Sequence, residues 1–128
     1  MPRVLPACLL AYAAASLFHH VHNAAFLDQY PNMPAWLSPM WVHLAWLGTT
    51  AIGFGGYVLL RRGCRISGIA LLIVYGCYGL DALAHYLVAP VSAHTLAMNI
   101  SIGLEAATAV AVLLALAVNL RTDAALRP

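Results

Sequence analysis

Four long apolar stretches constrain the fold of this chain more than any other feature. They cover about residues 4–27, 40–60, 66–88 and 94–120, and a helix needs about 20 apolar residues to cross a bilayer. Only 8% of the residues are charged, whereas soluble domains carry about 25%. We therefore predict an all-α integral membrane protein, with residues 1–128 forming a single domain. Because the connections are short, the expected architecture is an antiparallel four-transmembrane-helix bundle.

The distribution of arginine predicts the orientation of this bundle, since the chain contains no lysine. A four-span chain places all six arginines on one side: Arg3, Arg61, Arg62, Arg65, Arg121 and Arg127. The positive-inside rule then assigns both termini to the cytoplasm. The connections 28–40 and 89–93 would face the periplasm or the cell exterior. A cleaved signal peptide ending before Ser16 is the open alternative, because Ala13-Ala14-Ala15 resembles a small-residue cleavage site.

Imidazole side chains gather near the predicted outer ends of all four spans. The six histidines are His19, His20, His22, His43, His85 and His94. Lipid cannot satisfy the hydrogen-bonding capacity of an imidazole, so these rings should face water, a protein cavity or a bound ion. This clustering predicts a site in the outer half of the bundle.

Helical spacing places several polar side chains on shared faces. Residues three and four positions apart lie on one side of a helix, so Tyr12, Ser16, His19 and Asn23 form a stripe on the first span. Asp81 and His85 should lie one turn apart on the third. Ser101 and Glu105 share a face of the fourth, together with His94. We expect these faces to point into the bundle.

The residue types at these positions indicate metal chemistry. Imidazole and carboxylate ligands suit copper, iron or zinc. The candidate metal ligands are His19, His22, His43, Asp81, His85 and His94. Asp81 and Glu105, the only acidic residues within the spans, are also candidate catalytic groups that handle protons. His20 lies off the stripe and is expected at the membrane interface.

A short resemblance supports the choice of ligand types. Asp81-x-x-x-His85 followed by His94 is similar to the copper-ligand pattern of the membrane C-subunit in particulate methane and ammonia monooxygenases. It covers residues 81–94 and implies copper as one candidate ion. The spacing to His94 is shorter than in that family, so the resemblance serves as an analogy for ligand chemistry.

These observations favour a membrane metal-binding protein, with an oxidoreductase acting on a small or lipid-soluble substrate as the enzymatic form of that hypothesis. A haem-binding electron-transfer module, with two histidines as axial ligands, is an alternative. A non-catalytic metal or proton transporter, or an assembly subunit of an oligomer or larger membrane complex, is another. The same polar groups could instead hold helices together by hydrogen bonds. The few scattered arginines argue against a nucleic-acid partner.

Overall fold

The computed structural model describes the backbone of residues 4–125 and the side chains up to residue 121. Within this range the chain is all helical, with no β-strand. The α-helices are α1 (Val4–Ala25), α2 (Pro39–Arg61), α3 (Arg65–Leu80), α4 (His85–Val88) and α5 (Leu96–Ala125). Short 3₁₀ turns occupy Leu27–Gln29, Asp81–Ala84 and Val91–Ala93. The all-α prediction is confirmed.

Four helical segments of the described chain are long and apolar enough to cross a membrane. They are Val4–Ala25, Pro39–Arg61, Arg65–Val88 and Leu96–Arg121, close to the four predicted spans. Large apolar side chains such as Leu10, Phe54 and Leu87 are exposed on their outer faces. Such an extensive apolar surface suits contact with lipid, because soluble monomers rarely expose large apolar patches.

The third span contains a change of helix type that the sequence analysis did not predict. The α-helical part, α3, ends at Leu80, and the 3₁₀ turn that follows leads into the single turn of α4. In a 3₁₀ turn, side chains three positions apart eclipse each other, which changes the spacing on which the predicted Asp81–His85 face depends. Within residues 4–121, no hydrogen bond joins Asp81 to His85, although both side chains line the same cavity.

Helix packing gives the described chain two buried clusters. Helix α2 packs chiefly against α3, while α1 and α3 both pack against α5. One cluster includes Leu5, Tyr12, Leu72, Tyr75 and Val112. The other lies near the connections and includes Tyr30, Ala82, Met98 and Ile102. The first cluster holds the helices together below the polar residues that the sequence analysis singled out.

Glycine permits close contact at two helix pairs. A Cβ atom at Gly68 would lie 2.7 Å from the backbone nitrogen of Leu60. At Gly79 it would lie 2.5 Å from the Cβ of Ala109 and 2.6 Å from the ring of Tyr12. All three distances are shorter than van der Waals contact, so any larger residue at Gly68 or Gly79 must push the helices apart. Gly79 in this way allows Tyr12 to sit between three helices.

We predict that Gly68→Ala destabilises the protein by about 1–3 kcal/mol, the usual cost of overpacking a tight contact. The measurement is the unfolding midpoint in detergent, followed by far-UV circular dichroism. Gly103→Ala is the matched control, since a Cβ there meets nothing within 4 Å. Equal midpoints for the two variants would contradict the tight α2–α3 contact.

Candidate functional site

A cavity of about 560 Å³ lies near the carboxyl end of α1 and the amino end of α2, and the third span and α5 also line it. This volume falls in the range of small-molecule sites, about 300–1,000 Å³. Its polar lining residues are Tyr12, His19, His20, Asn23, Thr49, Tyr78, Asp81, His85 and Glu105. Helix α2 contributes a largely apolar wall that includes Trp41, Val42, Ala45 and Ile52. The cavity therefore has one polar side and one apolar side.

A chain of hydrogen bonds fixes the orientation of the His19 ring. Its Nδ1 lies 3.1 Å from Ser101 Oγ, and Ser101 Oγ donates its proton to the carbonyl oxygen of Met98 at 2.9 Å. Because a hydroxyl has one proton and that of Ser101 is directed at Met98, we assign His19 Nδ1–H as the donor to Ser101. In the neutral ring, Nε2 is then unprotonated and carries a lone pair that can accept a hydrogen bond. It faces Glu105 Oε2 at 3.8 Å.

Glu105 carries the most buried carboxyl group of the cavity, at 2% exposure. Its Oε2 has no hydrogen-bond partner among the described residues. Its Oε1 lies 3.9 Å from His20 Nδ1, and both imidazole distances are too long for hydrogen bonds. The carboxyl group therefore faces two histidines without a direct donor from either.

His20 and His94 have the same tautomer as the one assigned to His19. His20 Nδ1–H donates to the carbonyl oxygen of Ser16 at 2.9 Å, and His94 Nδ1–H donates to that of Pro90 at 3.0 Å. A backbone carbonyl can only accept a hydrogen bond, so Nδ1 carries the proton in each ring. In the neutral ring, Nε2 is therefore unprotonated and carries the lone pair. His94 Nε2 is buried and has no partner within the described chain. Histidines that bind metals are commonly held by their other ring nitrogen in this way.

The His85 ring lies between the other imidazoles and contacts α1. The side-chain amide of Asn23 donates to His85 Nε2 at 3.3 Å. This leaves Asn23 Oδ1 buried without a partner among residues 4–121. The centroid of the His85 ring lies 5.4 Å from that of His19 and 6.0 Å from that of His94. These three rings therefore form a continuous series with edge-to-face contacts.

Tyr30 contacts all three rings of this series. Its hydroxyl shares a hydrogen bond of 3.0 Å with His22 Nδ1, and its ring centroid lies 5.0 Å from that of His85. Burial raises the pKa of the Tyr30 phenol above its ordinary value. The hydroxyl consequently keeps its proton at neutral pH and stays available for hydrogen bonding.

The predicted site residues are partly brought together. His19, Asp81, His85 and Glu105 line the cavity, and His22 and His94 adjoin it through ring contacts with Tyr30. His43 is exposed and does not line it, because α2 turns its Val42–Ala45–Ile52 face inward instead. Among residues 4–121, no group of three or more His, Cys, Asp or Glu side chains is placed to hold a metal ion. The predicted multi-ligand metal centre is not preformed.

Three cavity or cluster residues were not predicted as site residues from the sequence. His20 was assigned to the interface, yet it lies four positions after Ser16 and three before Asn23, a spacing that could have placed it on the buried face. Tyr12 was noted only as part of a stripe. Tyr30 lies in a connection, where helical periodicity gives no information about side-chain direction.

The polar side of the cavity is rich in hydrogen-bond acceptors. None of its described lining residues is lysine or arginine, and two are carboxylic acids. Glu105 Oε2 and Asn23 Oδ1 have no donor in the described chain, and His19 Nε2 adds a third acceptor. No family model, curated protein or solved structure matches the chain. The chemistry of the site rests on these atoms.

We predict that His19, His20 and His94 are Nδ1–H tautomers at a pH where the rings are neutral. Nitrogen-15 NMR of histidine-labelled protein, with assignment by single substitution, measures this. Ser101→Ala should remove the preference at His19 alone, because only that ring donates to Ser101. The exposed His43 serves as the reference ring. A dominant Nε2–H signal from His19 in the wild type would contradict the orientation described above.

Proposed function

We propose that this protein is a multi-pass membrane protein, folded as an antiparallel four-span bundle, that binds a small and largely apolar molecule. The ligand carries a cationic or hydrogen-bond-donating group, which meets Glu105 and His19 in the cavity. Contacts between residues of rising number on α2 and falling number on α3, such as Gly53 with Tyr75 and Leu60 with Gly68, support the antiparallel arrangement.

The unpaired acceptors carry this proposal. A buried polar atom without a hydrogen bond costs about 1–3 kcal/mol. Glu105 Oε2 and Asn23 Oδ1 both have this unfavourable position beside the same cavity. A ligand that brings a protonated amine or a hydroxyl offsets this cost at several atoms. An anionic ligand would add repulsion from Glu105 and Asp81.

The apolar wall contributed by α2 supports a ligand with hydrocarbon character. Trp41, Val42 and Ile52 line the cavity opposite the histidines. Binding sites of this volume combine apolar walls with a few polar groups that fix orientation. The His19–Glu105 pair gives the bound group a proton acceptor at a defined position. Proton exchange with the ligand is accordingly the chemistry we assign to the pair.

A transition-metal ion is the second candidate occupant. Zinc lies about 2.0–2.2 Å from nitrogen and oxygen ligands, so the 3.8 Å between His19 Nε2 and Glu105 Oε2 is compatible with one shared ion. The Ser101 hydrogen bond to the other ring nitrogen also supports this. Zinc sites use at least three protein ligands. His20, Asp81 or His85 would have to move to supply the third, and the metal-dependent oxidoreductase hypothesis depends on that movement.

We predict that the detergent-purified wild type binds octylamine and that Glu105→Gln weakens this binding about tenfold to hundredfold. Glutamine keeps the shape of the side chain and removes its charge, and hydrogen bonds to charged groups contribute about 1.5–3 kcal/mol. Isothermal titration calorimetry measures both affinities. Asp28→Asn is the matched control, since Asp28 is exposed and lies outside the cavity.

Two outcomes would contradict the organic ligand. Octanoic acid binding as tightly as octylamine would show that the acceptors do not select the ligand. Stoichiometric metal in elemental analysis of the wild type, or a haem absorption band, would instead favour the metal or haem alternatives. The same elemental analysis of Glu105→Gln protein would then test whether the carboxyl group is a metal ligand.

We also propose that the cavity opens toward the periplasmic or extracellular side and that both termini are cytoplasmic. Arg61 and Arg65 flank the α2–α3 connection, at the opposite end of α2 from Trp41 in the cavity wall. The positive-inside rule supports a cytoplasmic position for that connection. A reporter fused after Pro128 should therefore behave as cytoplasmic, and a tag inserted within residues 28–39 as external. A cytoplasmic signal from that tag would reverse the orientation.

A further inference from the structure

A second cavity, of about 270 Å³, lies beside the first along the seam between α1 and α2. Its lining is almost entirely apolar and includes Pro6, Leu9, Ala13, Phe54, Tyr57 and Tyr75. Neither the histidines nor the carboxyl groups reach it. The proposed function makes no use of this space.

The two cavities follow the same helix faces. On α1, Pro6, Leu9 and Ala13 line the inner cavity, while His20 and Asn23 line the outer one. Steps of three, four and seven residues keep all five on one side of a helix. The rings of Tyr12 and Tyr75 are in tilted contact, with their centroids 4.4 Å apart, and Tyr12 lines the outer cavity while Tyr75 lines the inner one. The seam is thus polar at its outer end and apolar at its inner end.

Helix α2 supports the same continuity. Ala45 and Thr49 line the outer cavity, and Gly53 and Tyr57 line the inner one. These four residues are spaced at four-residue intervals and form one stripe. The inner cavity also reaches the exposed side chain of Phe54. A molecule dissolved in the hydrocarbon phase of a bilayer therefore has access to the seam without first passing through water.

We propose that the ligand is a single-chain amphiphile with a protonated amine at one end. The amine occupies the outer cavity beside Glu105 and His19, and the hydrocarbon chain follows the seam into the inner cavity. The inference rests on the proposed function, because it uses the same acceptor atoms. From Pro6 to His20 the axis of α1 rises by roughly 21 Å at 1.5 Å per residue. This length suits a long-chain lipid amine rather than a short one.

The test compares octadecylamine with octylamine on the full chain. Ala13→Phe fills the inner cavity from α1 and should weaken octadecylamine binding by about tenfold or more, through loss of apolar burial. Octylamine, whose short chain remains in the outer cavity, should bind Ala13→Phe within about twofold of wild type. Ala14→Phe is the matched control, because residue 14 is exposed and lines neither cavity. Retained octylamine binding also shows that Ala13→Phe protein is folded.

A photoreactive octadecylamine with a diazirine near its chain end adds a positional readout. In the wild type it should label residues of the inner cavity, and Glu105→Gln should reduce that labelling about tenfold, in proportion to lost affinity. Equal labelling of wild type and Glu105→Gln would mean that bulk lipid fills the space, which overturns the inference. Unchanged octadecylamine affinity in Ala13→Phe would also overturn it. Failure of every amine to bind wild type would instead refute the proposed function itself.

Discussion

The structure is arranged around a carboxyl group that is buried in an apolar bundle and that has no arginine or lysine among the described residues to pair with it. Glu105 is 2% exposed. Its carboxyl oxygens lie 3.8 Å from His19 Nε2 and 3.9 Å from His20 Nδ1, and both of these imidazole rings are ionisable. Burial of an ionisable pair gives little net stability and often costs stability. Apolar residues of similar volume would pack this position more favourably. This cost supports the proposal that Glu105 serves ligand binding rather than helix association.

The surrounding packing keeps this group in a defined environment. Ser101, one turn before Glu105 on α5, both accepts from His19 and donates to Met98. This links the orientation of an α1 ring to the backbone of α5. Tyr12 enters the same region because Gly79 leaves room for its ring. The site consequently depends on close packing of α1, α3 and α5, and a shift of one helix would misplace a hydrogen-bonding group.

The sequence predicted the helices and the α1 face well but not the relative positions of groups on different elements. The stripe of Tyr12, Ser16, His19 and Asn23 is buried as expected. A regular α-helix keeps residues three and four positions apart on one face, and α1 is regular over this range. A 3₁₀ turn replaces that spacing from Asp81 to Ala84, although Asp81 and His85 still line the same cavity. Periodicity is uninformative for His43, since it offers two candidate faces of α2 and only packing selects one.

Helix α2 packs closely against α3 but leaves space beside α1, and the lengths of the two connections explain this difference. Only residues 62–64 join α2 to α3, and such a short turn keeps neighbouring helices close. Gly56 and Gly68 remove the side chains that would prevent this contact. The connection from α1 to α2 is longer and contains Pro31 and Pro34, and it allows α2 to stand away from α1. Both cavities lie along this wider seam, so the chain combines one closed helix pair with one that leaves space for a ligand.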